Sequence, residues 1–198
     1  TKVQESQELY NKKEYKKSLE IAELAIKEDP DNPQAYMRAM LAAYVLNDNE
    51  KAAGYSVSWA TLEPESENAK SWEVHFLAQI YEPNDKRLEE VLQETQKLTE
   101  YWAQKYYEAS TEKGQQNVNS WRSGNYYAQG LILEKLGKKD EAAAQYLNAK
   151  VLAPTRKDFE QAYARVTATP ESASPPQPQL DCPLDGCGGC FINDKWAG

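Results

Sequence analysis

Three prolines divide most of this chain into segments of similar length. Pro30 and Pro64 lie 34 residues apart, each at the end of an acidic stretch, and Pro154 ends a further segment of the same kind. A constant period of this size is typical of repeat proteins, in which each unit packs mainly against its neighbours. This spacing constrains the fold more than any other feature of the sequence.

The segment that ends at Pro154 shows the internal pattern of one unit most clearly. Gly137 is placed to end a first helix in the left-handed conformation, and Pro154 to end a second helix. Tyr146 is large enough to fill the space between two packed helices. Small residues stand where the two backbones would approach each other, at Gly130, Ala142 and Ala149. The pattern predicts two antiparallel helices in close contact.

This combination of residues resembles the tetratricopeptide repeat (TPR) family, whose 34-residue unit is a helix–turn–helix. The resemblance is clearest in residues 123–156 and extends through 1–34 and 35–68, where Asn47 replaces the glycine. It implies an all-α, TPR-like solenoid of about 3.5 helical hairpins. Residues 156–166 are predicted to form a capping helix that covers the last hydrophobic face.

The third unit departs from the family pattern. Glu82-Pro83-Asn84-Asp85 interrupts its first helix, and the second helix is predicted to run from Lys86 to about Ser110. Residues 111–116 are polar and contain Gly114, so they are predicted to form a connection to the fourth unit.

The C-terminal part of the chain differs in composition from the rest. Residues 167–198 contain four of the nine glycines, five of the ten prolines and all three cysteines. We therefore predict three parts: a TPR-like helical domain at 1–166, a Pro/Ser/Gln linker at 167–180, and an extended cysteine-containing tail at 181–198.

Charge and hydropathy argue against several classes of partner. The formal net charge of −8 disfavours a nucleic-acid binder, and no apolar run is long enough to predict a transmembrane segment. A chain that starts at Thr1, together with a disulfide in the tail, would favour a periplasmic or secreted location slightly over the cytoplasm.

The sequence predicts that the protein is not an enzyme. His75 is the one histidine, so any Ser/His/Asp set would have to share it, and no glycine-rich phosphate loop is present. A single histidine on a helix is more often a packed or hydrogen-bonded residue than a base or a ligand.

The resemblance to TPR proteins implies a concave groove, lined by the first helix of each hairpin, that binds a segment of a partner protein. One TPR subclass clamps a C-terminal carboxylate with Lys and Asn side chains, but Val3, Gln7 and Arg38 stand at those positions here, which disfavours that activity. The family positions place the following residues toward the groove: Gln7, Tyr10, Met37, Leu41, Tyr44, Trp72, His75, Gln79, Tyr127, Leu131 and Glu134.

The tail cysteines, in the pattern C-x4-C-x2-C, leave three interpretations open. Cys187 and Cys190 are spaced to bind one metal ion or cluster, with Cys182 as a third ligand and Asp181, Asp185, Asp194, His75 or a partner residue as the fourth. A disulfide, Cys187–Cys190 or Cys182–Cys187, would leave one thiol over. In the third interpretation the tail is a docking peptide whose apolar anchors are Leu184, Phe191, Ile192 and Trp196.

Taken together, the residues favour a scaffold that binds protein partners in the groove, helps assemble a larger complex, and uses the tail as a second docking element. The alternative is a metal-binding or redox protein that uses Cys182, Cys187 and Cys190. No cofactor is predicted apart from a metal or disulfide at these cysteines.

Overall fold

The computed structural model describes residues 1–168 and the backbone of two short strands near the C-terminus. The helices are α1 (Lys2–Asn11), α2 (Tyr15–Glu28), α3 (Pro33–Val45), α4 (Asn49–Leu62), α5 (Glu67–Ile80), α6 (Leu88–Glu108), α7 (Glu112–Lys135), α8 (Lys139–Leu152) and α9 (Lys157–Thr167). The strands are β1 (Cys190–Ile192) and β2 (Lys195–Ala197), which pair antiparallel with Phe191 opposite Trp196.

Residues 1–168 form four successive helical hairpins, α1–α2, α3–α4, α5–α6 and α7–α8, followed by α9. The second helix of each hairpin packs on the first helix of the next, and α9 packs on α8. This arrangement confirms the predicted all-α helical-hairpin solenoid with a capping helix, and residues 1–168 contain four hairpins rather than the predicted number of about 3.5. We call the side formed by α1, α3, α5 and α7 the first-helix face.

Three of the four hairpins have a turn of identical length in which one residue is left-handed. The φ angle is 64° at Lys13, 60° at Asn47 and 77° at Gly137. Gly137 therefore confirms the predicted left-handed helix end. Asn47 replaces the family glycine without changing the turn, because asparagine tolerates this conformation better than most residues.

The third hairpin differs, because the connection between α5 and α6 includes Pro83 and the left-handed Asn84, whose φ angle is 69°. Lys135, at the end of α7, closes the exposed C-terminus of α5. Its Nζ donates to the carbonyl oxygens of Ala78, Gln79 and Tyr81 at 2.8, 2.8 and 2.5 Å. A cation at a helix C-terminus is favourable because it satisfies carbonyls that lack intrahelical partners.

Replacing Lys135 with methionine is expected to lower the free energy of unfolding by about 2 kcal/mol, because carbonyls at the end of α5 lose a charged donor. Urea denaturation followed by circular dichroism measures this loss. Lys113→Met, at an exposed position in the first turn of the same helix, is the matched control and should change stability by less than about 0.5 kcal/mol. Equal losses in the two variants would contradict the capping role.

The start of α7 corrects the predicted connection at 111–116. The Thr111 Oγ1 accepts a hydrogen bond from the Gly114 backbone N–H at 3.1 Å, so Thr111 is the N-cap and the helix begins at Glu112. Gly114 lies inside the first turn rather than in a loop. The second helix of the third unit, predicted at 86–110, is observed as α6 from Leu88 to Glu108.

The two helices of the fourth hairpin are in close contact at Gly130. A Cβ atom built on Gly130 would lie 2.4 Å from the Tyr146 ring, and Tyr146 is completely buried. The Tyr146 hydroxyl donates to Glu134 Oε2 at 2.7 Å, and Glu134 also accepts two hydrogen bonds from Arg165 of α9 at 2.9 and 2.7 Å. The predicted roles of Gly130 and Tyr146 are confirmed, and Glu134 joins the capping helix to α7.

The N-terminal hairpin is held at its centre by polar atoms. Ser6 is the one buried residue of α1, and its Oγ donates to the Ser18 carbonyl oxygen at 2.8 Å. The Ser18 Oγ donates to the Ser6 carbonyl oxygen at 2.9 Å. The two small side chains let α1 and α2 approach closely.

The chain divides into two units, Thr1–Thr167 and Ala168–Gly198. The predicted capping helix at 156–166 corresponds to α9, which ends at Thr167. The predicted linker at 167–180 lies almost wholly outside the described residues. Among the helices described, none is both long and apolar enough to cross a membrane.

Candidate functional site

A cavity of about 150 Å³ opens between three hairpins on the first-helix face. We call it the aromatic cavity. Its lining comes from α3, α5, α7 and the turn before α9, so residues far apart in the sequence share one site. They are Tyr44, Ser71, Trp72, His75, Ser120, Trp121, Gly124, Asn125 and Arg156.

Three large aromatic rings, those of Tyr44, Trp72 and Trp121, form part of the wall. The Trp72 ring lies edge-on to Tyr44, with 5.4 Å between centroids, and to Trp121, with 6.1 Å. Behind the wall, Trp72 stacks on the fully buried Phe76 at 5.6 Å, and Trp121 stacks on Trp102 at 5.3 Å. Because buried rings support these side chains from behind, the wall is pre-organised.

Two buried polar side chains, Ser71 and Asn125, interrupt the aromatic wall. The Trp102 Nε1 donates to Ser71 Oγ at 3.0 Å. Asn125 is only 2% exposed, and its one side-chain hydrogen bond among residues 1–168 is a long one, from Nδ2 to Ser71 Oγ at 3.5 Å. A buried amide normally makes more and shorter hydrogen bonds. Asn125 therefore keeps hydrogen-bonding capacity at the cavity.

Arg156 contributes a positive charge, which Asp158 largely balances. Its Nε and Nη2 donate to the two Asp158 carboxylate oxygens at 2.8 and 2.6 Å. Burial lowers the pKa of His75 to about 4, and the Arg156 charge lowers it further than Asp158 raises it. His75 is therefore neutral at neutral pH, and its Nε2 accepts a hydrogen bond from Gln79 Nε2 at 2.8 Å.

The structure brings three of the predicted groove residues together in the cavity: Tyr44, Trp72 and His75. The other predicted residues are half-buried on the same face. Gln79 bonds to His75, and Tyr127 packs on Phe159 with 4.8 Å between ring centroids. The remaining members are Gln7, Tyr10, Met37, Leu41, Leu131 and Glu134, of which Glu134 is engaged by Tyr146 and Arg165. Contact of any of these residues with a partner stays a prediction.

Sequence reasoning missed the side of the cavity formed by α7, including Trp121, Gly124 and Asn125. The repeat pattern places the start of the fourth unit at 123, after a connection at 111–116, so Trp121 falls outside it. One signal is present: Thr111 followed by Glu112 is a favourable N-cap for a longer helix. Arg156 was missed because it lies in the turn between α8 and α9.

A second feature of the first-helix face is the half-buried Arg38 on α3. Burial lowers the pKa of its guanidinium, and the nearby Tyr10 hydroxyl opposes that shift. Its buried Nε has no hydrogen-bond partner in the described part of the chain. The face therefore contains a cation near its N-terminal end as well as the paired Arg156.

The predicted tail sites are largely outside the described residues. Cys182, Cys187 and Leu184 lie in that part of the chain, and only the backbone is described for Cys190, Phe191, Ile192 and Trp196. Their metal, disulfide and docking interpretations stay predictions. In residues 1–168, no group of three or more His, Cys, Asp or Glu side chains is arranged to hold a metal ion.

No protein-family model matches the sequence, and no curated protein matches it. Solved structures do match the fold. A form of MamA from Desulfovibrio magneticus RS-1 has a TM-score of 0.57 at 14% identity and covers 84% of each chain. YrrB, described as a TPR protein with an unusual peptide-binding site, has a TM-score of 0.56 at 16% identity and covers 87% of this chain and 78% of its own. This chain has the TPR fold.

The TPR fold accounts for the position of the aromatic cavity. Successive TPR hairpins place their first helices side by side, so Tyr44, Trp72 and Trp121 come from three neighbouring units. Identities of 14–16% establish the fold alone. What the site binds depends on its own residues.

Proposed function

We propose that the protein is a non-enzymatic interaction scaffold that binds a segment of a partner protein along the first-helix face. The observation that carries this proposal is the aromatic cavity, a concave site of about 150 Å³ lined by side chains from three hairpins. Aromatic side chains that line a supported concave site are frequent anchors of protein recognition. The peptide-binding site described for YrrB, which has the same fold, supports the proposal.

The rest of the face suits a polypeptide better than a small molecule. Half-buried Tyr10, Met37 and Leu41 extend the apolar surface along α1 and α3, away from the cavity. Arg38 and Gln7 add hydrogen-bond donors that can pair with the carbonyl groups or carboxylates of an extended segment. A single anchoring cavity beside a longer mixed surface is the arrangement expected for binding a peptide.

Random-peptide display on the full chain tests the proposal, followed by chemical-shift mapping of the selected peptides by NMR. We expect perturbed amides to cluster on α1, α3, α5 and α7 and to include Trp72. Val151, which is 69% exposed on α8, is an internal control, because an apolar residue on a second helix should not respond. If the perturbed amides lie mainly on the second helices, or no peptide binds, the proposal is wrong.

We further propose that the chain helps assemble a larger complex and that the tail is a second docking element, with Leu184, Phe191, Ile192 and Trp196 as anchors. Two contact sites on one chain raise the effective concentration of the second contact. Deleting residues 169–198, which leaves α9 intact, should weaken retention of a partner found by cross-linking while helicity is unchanged. Unchanged retention would remove the tail from the proposal.

A further inference from the structure

We propose that the aromatic cavity accepts one neutral aromatic side chain with a hydrogen-bond donor at its edge, tyrosine or tryptophan, from the bound segment. This inference rests on the proposed function and specifies the partner residue that the face selects. It depends on the size of the cavity, on the buried amide of Asn125 and on the balance of charge at Arg156.

The size fits one ring. A cavity of about 150 Å³ is comparable to the engineered protein cavity of that volume that binds benzene. The Trp72 ring lies edge-on to Tyr44 and to Trp121, at centroid distances of 5.4 and 6.1 Å. An inserted ring can continue these edge-to-face contacts, which aromatic pairs prefer over direct face-to-face stacking.

The polar part of the lining favours a ring with a donor over a plain hydrocarbon ring. Asn125 is 2% exposed, and its single described side-chain hydrogen bond is the 3.5 Å contact with Ser71. A hydrocarbon would seal this amide away from water without a partner, which is unfavourable. A phenol hydroxyl or an indole N–H can donate to the Asn125 side-chain oxygen instead.

The charges disfavour ionic occupants of either sign. The described residues that line the cavity include no carboxylate that could pair with a lysine or a methylated ammonium group, and Arg156 would lie beside it as a like charge. A carboxylate would have to compete with Asp158, which already takes the Arg156 guanidinium at 2.6 and 2.8 Å. A neutral aromatic group avoids both penalties.

Three small probes test the proposal on the full chain: p-cresol for the tyrosine side chain, toluene for the same ring without the hydroxyl, and n-butylammonium for lysine. We expect p-cresol to shift the indole N–H signals of Trp72 and Trp121 in NMR titrations. Its dissociation constant should be at least about tenfold lower than that of toluene, the usual effect of one hydrogen bond to a buried group. Stronger binding of n-butylammonium, or no preference for p-cresol over toluene, would overturn the proposal.

Two variants connect the probes to this cavity. Gly124→Leu places a side chain into open space at the cavity, since nothing lies within 4 Å of a Cβ built there, and it should abolish p-cresol binding. Gly54→Leu is the matched control, because Gly54 is exposed on α4 and equally unobstructed. Asn125→Leu should remove the preference for p-cresol over toluene. If Gly124→Leu, still folded by circular dichroism, binds p-cresol like the wild type, the ring binds elsewhere and the proposal is wrong.

The peptides selected by display separate this inference from the proposed function. If they contain tyrosine or tryptophan at one position and lose binding in Gly124→Leu, both stand. If they map to the first-helix face without such a residue and bind Gly124→Leu normally, the scaffold function stands and the cavity proposal fails. If no peptide binds but p-cresol does, the proposed function fails, and of this inference only the preference of the cavity for a ring with a donor stands.

Discussion

Gly130→Ala is expected to lower the free energy of unfolding by about 3 kcal/mol, because the added methyl group overpacks a closed contact between two helices. The new Cβ would meet the Tyr146 ring at 2.4 Å, and Tyr146 cannot move aside easily because it is fully buried and its hydroxyl is bonded to Glu134. Displacing the ring would also disturb the Glu134–Arg165 pair, which joins α7 to α9. Urea denaturation followed by circular dichroism measures the loss.

The matched control is Gly54→Ala, which makes the same change inside α4. A Cβ at Gly54 has nothing within 4 Å, so the gain in helix propensity should raise the free energy of unfolding by up to about 1 kcal/mol. The two variants therefore differ in sign as well as in size. A stable Gly130→Ala protein would show that α7 and α8 are not in close contact at this point.

Acidification is expected to destabilise the protein by about 3 kcal/mol through His75 as the pH falls from 7 to 4. The folded-state pKa of His75 is about 4, well below the ordinary 6.5, because burial and the Arg156 charge disfavour its protonation. Between these two values the unfolded chain binds a proton that the folded chain does not. Stability contributed by neutral His75 is thus complete above pH 6.5 and is lost as the pH falls through 4.

His75→Gln isolates this contribution, since glutamine keeps a polar side chain and does not titrate. Glu73 also titrates abnormally: burial and the neighbouring Glu94 raise its pKa, so its effect on stability has the opposite sign. We therefore compare the pH dependence of the two proteins rather than either alone, using urea denaturation at pH 7, 5.5 and 4. Parallel curves for wild type and variant would mean that His75 protonates as readily in the folded state as in the unfolded chain.

The hairpins could be predicted from sequence because their determinants are local. Gly130, Gly137 and Tyr146 lie within one unit, and each has the packing or turn role that its size and backbone freedom indicate. The predicted start of α7 is wrong, because Gly114 was interpreted as a helix breaker. In the structure the N-cap at Thr111 outweighs the low helix propensity of Gly114, so the helix includes this glycine.

The aromatic cavity could be predicted only in part. Tyr44, Trp72 and His75 were assigned to the groove from their position in the repeat, but the opposite wall depends on how far α7 extends and how neighbouring units pack. The stacking of Trp121 on Trp102 is a contact between hairpins. The sequence of a single unit contains no information about such a contact. The place of Asn125 in the cavity could not be predicted for the same reason, because its hydrogen-bond partner Ser71 belongs to a different hairpin, on α5.

The paired serines of the N-terminal hairpin have a consequence for how the molecule opens. Since Ser6 is the one buried side chain of α1, little apolar area holds this helix to its neighbours, whereas α6 and α7 are long and bury several large side chains. Amide hydrogens of α1 should therefore exchange with solvent through local detachment, while those at the centre of α6 and α7 exchange only when the whole domain unfolds. Tyr10 lies on α1, so the N-terminal end of the first-helix face would be present in an attached and a detached form whose ratio a bound partner could shift.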